Sequence, residues 1–143
     1  MSTSRDFPAN GKVIAATNGM VVFSPENTTY EMQLEIEGPT KNLKIGVWME
    51  GHIIVNARKV LTVGSGGNFV APIFGPPRKI QGRIRYIDEE QMVVQAGVPI
   101  IVKLPHDSAC FELAHGQLAV GKMVNVDVLP GVVFEPQTLS VAK

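Results

Sequence analysis

Hydrophobic and polar residues alternate with a period of two along most of the chain. Tyr30, Met32, Leu34 and Ile36 are interleaved with Glu31, Gln33, Glu35 and Glu37, the spacing that lays one face of a β-strand on a core and the other in water. Val98, Ile100, Val102 and Leu104 repeat the alternation with fewer charges between them, which predicts a more interior strand covered on both faces. Upstream of each run, Gly11 and Val13 lead through Asn18-Gly19 to Met20-Val21-Val22, and Gly82 and Ile84 lead through Asp88-Glu89-Glu90 to Met92-Val93-Val94. Turn-forming residues between alternating segments predict a hairpin in each place.

The two stretches share more than a hairpin. Lys44 to Val63 aligns without gaps against Lys122 to Val141, so that Ile54-Val55 meets Val132-Val133 and Leu61-Thr62-Val63 meets Leu139-Ser140-Val141. The common order of these matches predicts an internal duplication. The copies differ in their middle. The first has the short GPTKN from Gly38, whereas the second carries HDSACFELAHGQLAVG from His106, in which Cys110, Leu113 and Ala114 form a short helical stripe near residues 107–116.

The order strand, strand, strand, helix, strand, strand over residues 79–143 resembles that of the OB-fold, a small five-stranded Greek-key barrel. The likeness is one of element order. The expectation is therefore an all-β protein of two tandem small β-barrels, OB-like or SH3-like: residues 10–63, without a helix, and residues 79–143, with one short helix. Residues 64–78 join them, and Phe69, Val70, Ile73 and Phe74 make this Gly/Pro-rich linker too apolar for a solvated tether, so it is expected to pack down. The alternative is a single larger β-sandwich, because units of about 60 residues bury little surface alone.

Composition narrows the function classes. The 143 residues are 45% hydrophobic, enough to fill a core, and carry 13 basic and 13 acidic side chains. A formal net charge of zero gives no whole-molecule field to recruit nucleic acid or an anionic membrane. No apolar run approaches the roughly 18 residues needed to span a bilayer, the N-terminus MSTSRDFPANGK has no signal-peptide core, and the single Cys110 makes no internal disulfide. These features lead to the expectation of a cytoplasmic protein without membrane partners.

Candidate chemistry is sparse. Gly64-Ser65-Gly66-Gly67 is followed by prolines rather than by the helix a phosphate loop requires. His106, Cys110 and His115 are weak metal candidates: their spacing matches no standard zinc pattern, and a core cysteine with Asp107 or Ser108 as a cap is favoured, so no metal or other cofactor is expected. No G-x-S-x-G, H-E-x-x-H or paired-carboxylate signature occurs, and His52 is read as a turn residue, so the chain is expected not to be an enzyme. The leading expectation is a binding or assembly module that takes a protein partner or associates with itself, with Phe69 and Phe74 as interface candidates and Trp48 assigned to the core. Single-stranded nucleic acid is one alternative, through Arg83 and Arg85 on one strand face, with Tyr86 pointing to the core. A small oxyanion between the two barrels is the other, with Lys44 and Lys122 at matching positions.

Overall fold

A computed structural model describes residues 3–17, 19–36 and 43–136. The proposed match of Leu139-Ser140-Val141, the loop Gly38 to Asn42 and Asn18 lie outside the described residues. The protein is all-β, and among the described residues it forms one mixed sheet of twelve strands. In chain order these are β1 (Ala9–Thr17), β2 (Met20–Pro25), β3 (Glu31–Ile36), β4 (Trp48–Thr62), β5 (Phe69–Ala71), β6 (Phe74–Gly75), β7 (Lys79–Ile87), β8 (Gln91–Gln95), β9 (Pro99–Lys103), β10 (Phe111–Glu112), β11 (Met123–Val128) and β12 (Val133–Pro136).

The pairing closes into two circuits. In the first, β1 pairs β2, β2 pairs β3, β3 runs parallel to β12, β12 pairs β4, and β4 returns to β1 through Lys12↔Trp48 and Gly11↔Met49. In the second, β7 pairs β8, β8 pairs β9, β9 runs parallel to β4, β4 pairs β11, and β11 returns to β7 through Met123↔Arg83. Each ring therefore takes one strand from the opposite half of the chain. β4 begins in the first ring and continues, instead of turning back, as the strand parallel to β9 in the second. The segment from β11 through Leu129-Pro130-Gly131 to β12 makes the reciprocal crossing. The expectation of strands kept within 10–63 and 79–143 is corrected here: the centre of β4, Gly51 to Val55, is buried at five successive residues, so a hairpin that exposed one face of it would uncover apolar surface.

The rings correspond strand for strand. A bulge interrupts β1–β2 between Val13 and Ala15, and another interrupts β7–β8 between Ile84 and Tyr86, so that Val13 corresponds to Ile84 and Val22 to Val93. This shifts the Met-Val-Val alignment by one residue: Met92 matches Val21, not Met20. Val21 and Met92 are both buried whereas Met20 is exposed, and a one-residue slip would reverse every side chain. The amide of Gly46 donates to Val13 O at 2.9 Å, and that of Gly121 donates to Ile84 O at 2.8 Å. Lys122 therefore corresponds to Val47, and the matching of Lys44 with Lys122 is corrected.

One core cluster runs through both rings, from Phe23, Leu34 and Ile53 in the first to Ile84, Val94 and Ile100 in the second. Phe23 on β2 stacks on Phe134 of the exchanged β12 with centroids 4.6 Å apart. As expected, Met32 and Leu34 are buried, and Ile100, Ile101 and Val102 are buried on both faces of β9. A smaller cluster of Ile54, Val93 and Ile101 lies outside it, covered by Phe7, Tyr86 and Val133. There the N-terminal segment crosses both rings. Ser4 Oγ donates to Gln91 Oε1 at 2.9 Å, His52 Nε2 lies 3.0 Å from Arg5 O, and Arg5 pairs with Glu135.

Two local expectations differ. The helix near 107–116 is a single 3-10 turn, Ser108–Cys110, capped by the Asp107 carboxylate accepting from Ala109 N at 2.9 Å. With Phe111 and Glu112 extended beside β4, Cys110, Leu113 and Ala114 share no helical face, and Cys110 is half-buried. Trp48 is 59% exposed rather than core. It sits at the ring-one end of β4, beyond the buried centre.

Candidate binding surfaces

Arg83 projects from the exposed face of β7, and Lys122 directly precedes β11. Because Arg83 pairs with Met123, the two side chains arise from neighbouring strands. Arg83 Nη1 donates to Gly121 O at 2.9 Å, and Lys122 Nζ donates to His115 O at 3.3 Å. His115 is itself anchored, its backbone amide donating to Thr62 Oγ1 at 3.1 Å. These groups line an open groove of about 490 Å³ together with Val63, Gly64 and Gly121, and among the described residues no carboxylate lines it. Three residues singled out in the sequence for three separate chemistries, Arg83, Lys122 and His115, thus meet in one place.

The corresponding surface of the first ring has the opposite character. Lys12 stands where Arg83 does, Val47 where Lys122 does, Trp48 where Met123 does and Ile14 where Arg85 does. Ile14 is 39%, Ile45 54% and Val47 50% exposed. Lys12 Nζ lies 4.7 Å from the Trp48 ring centroid, a cation–π contact at the edge of an otherwise apolar face.

The remaining candidates are dispersed. Lys44 is exposed near that apolar face. Arg85 leaves the groove, donating to Gln95 Oε1 at 3.1 Å and lying 5.3 Å from the Phe7 ring. Arg58 and Lys79 both pair with Asp127, and Lys59 pairs with Glu112. Phe69 is half-buried where β5 pairs β7, whereas Phe74 is 65% and Ile73 46% exposed. The linker packs through its backbone and Val70, and its two largest outer side chains face solvent. Tyr86 covers the smaller cluster and donates to Asp88 Oδ2 at 2.7 Å, which holds the Asp88 carboxyl below the usual carboxylate range.

His106 and Cys110 do not join His115 in a cluster; among the described residues no group of three or more His, Cys, Asp or Glu side chains could hold a metal ion. His52 is not in a turn. It lies within β4, 7% exposed, and burial lowers its pKa. Among the described residues no helix is long and apolar enough to cross a membrane. The chain matches no protein-family model, no curated protein and no solved structure.

Proposed function

We propose that the chain is a non-enzymatic binding module: two OB-like β-barrels, descended from an internal duplication and exchanging their fifth strands, that associate with a second copy of the chain through the apolar face around Trp48. The observation that carries this reading is the exposure of Trp48 beside Ile14, Ile45 and Val47. Four large apolar side chains grouped at one end of a sheet are the composition of an interface core, and aromatic anchors supply much of the binding energy of such surfaces. The formal net charge of zero leaves no long-range repulsion between copies. A self-complementary patch on both partners gives a closed two-fold dimer.

Sedimentation velocity across a concentration series tests the proposal. The expected result is a monomer–dimer equilibrium that barely responds to salt and is lost in Trp48→Glu, with the circular dichroism of the variant unchanged. A chain that stays monomeric at the highest concentration reached sinks the reading. So does tight binding to a single-stranded oligonucleotide that weakens steeply with salt and disappears when Arg83 and Arg85 become Ala, the signature of phosphate contacts.

A further inference from the structure

The groove of the second ring offers several hydrogen-bond donors and, among the described residues, no acidic side chain. We propose that it binds a tetrahedral oxyanion of the phosphate class, held by Arg83 and Lys122 with His115 as a third contact.

The first reason is uncompensated charge. Among the described residues Arg5, Arg58, Lys59 and Lys79 have carboxylate partners; Arg83 and Lys122 are among the cations that have none, and they line one groove, where they contact only the backbone carbonyls of Gly121 and His115. Each of those hydrogen bonds engages one donor and fixes the direction of the side chain. The rest of the guanidinium fork and of the ammonium group remains for an anion, and charge-assisted contacts of this kind are the strong ones.

The second reason is the room made for these groups. A Cβ at Gly116 would stand 2.8 Å from Lys122 Nζ, and a Cβ at Gly64 would stand 3.1 Å from His115 Nδ1. Both glycines lie where a larger residue would displace a donor. Gly116 also has φ +110°, a conformation that only glycine adopts at low cost.

The third reason is that the fold does not demand this chemistry. At corresponding positions the first ring keeps a cation, Lys12, for Arg83 but holds Val47 instead of Lys122, and Lys12 turns to the Trp48 ring rather than to a second cation. His115 comes from the chain linking β9 to β11, which is longer than the chain linking β3 to β4 at the corresponding place in the first ring. The combination of Arg83 with Lys122 and His115 is therefore a property of this groove, and its open shape admits either a free anion or the phosphate of a small ester.

The test is a titration of the full-length chain, labelled with nitrogen-15, by inorganic phosphate and separately by phosphoserine, at constant ionic strength set with chloride. Saturable one-to-one shifts are expected at the amides of Gly64, His115, Gly121 and Lys122. Arg83→Gln and Lys122→Gln should each weaken binding roughly tenfold or more. Gly64→Ala keeps every charge and should also weaken it, by displacing His115, whereas Lys103→Gln on β9 should leave it unchanged. Tighter binding of phosphoserine at the same amides would identify the ligand as the phosphate of a larger molecule. Tighter binding of inorganic phosphate would identify the free anion. Shifts that never saturate, that fall equally with Lys103→Gln, or that survive in variants still giving a folded spectrum without Arg83 or Lys122 would overturn the proposal. The amide spectrum of each variant separates lost binding from lost fold, and competition of phosphate by sulfate but not by acetate on the unmodified chain gives a measurement independent of any variant.

Discussion

At Gly82 a side chain has no space. A Cβ there would overlap the carbonyl oxygen of Gln95, and at the corresponding Gly11 it would overlap that of Ser24. Each glycine marks the place where the first strand of a ring bends close over the backbone of the second, a recurrent use of glycine inside strands. Gly82→Ala, which in an open strand costs nothing, should here lose about 1–3 kcal/mol of unfolding free energy in a urea titration, because the backbone must shift. His52 gives a second prediction. Arg5, Glu50 and Glu135 surround it, but burial dominates and favours the neutral ring. With the folded pKa below the ordinary 6.5, the unfolded chain takes up the proton first as pH falls. Stability is thus full above about pH 6.5 and declines below it, until the folded-state pKa is passed. Thermal unfolding followed from pH 7.5 to 5 should show this decline, and His52→Gln, which keeps a donor near Arg5 O, should flatten it.

Among the elements, β12 carries weight out of proportion to its four residues. It supplies Phe134, wholly buried, stacked on Phe23 and seated over Gly51, where any Cβ would collide with its ring. Phe134→Ala should cost about 3–5 kcal/mol, the range for truncating a large buried aromatic, measured as a shift of the urea midpoint at unchanged slope. The strands themselves were legible in the sequence: β1, β3 and β9 lie where period-two alternation predicts them, and β8, buried at three successive residues, lies where the hairpin and the Met-Val-Val run place it. The destination of β4 and β12 was not legible. The apolar run Ile53-Ile54-Val55 says that both faces of β4 are covered but does not name the strands that cover them, so the crossing into the other ring cannot be read from the run alone. The stripe of Cys110, Leu113 and Ala114 misled for a related reason. Three apolar residues at helical spacing do not make a helix where Asp107 caps the start of a single turn and the extended Phe111, paired in parallel with Val60, ends it. Of the candidate surfaces, the cationic residues could be picked out individually, but their meeting depends on the pairing of β7 with β11 and on the loop that delivers His115. The exposure of Trp48 had no local signature at all.

For the whole molecule the exchange makes each half depend on the other. The linker residues Gly64 to Asn68 are exposed, so a protease site placed between Gly66 and Gly67 should be cut in the native state. The pieces should nevertheless co-migrate on size-exclusion chromatography and separate only in denaturant, since each ring contains a strand of the other piece. Two halves that separate under native conditions would contradict the pairing of β4 with β9 and β11. The crossing also orders events in time. A ribosome makes Ala9 to Ile36 early, yet the first ring lacks its closing strand until Val133–Pro136 have emerged, roughly a hundred residues later. At synthesis rates of about 5–20 residues per second, the first hairpin waits on the order of ten seconds with Val21, Phe23, Met32 and Leu34 uncovered. A message truncated anywhere before the codons of Val133–Pro136 would yield a nascent chain whose first ring is still open, a product for chaperones and proteases rather than a working protein.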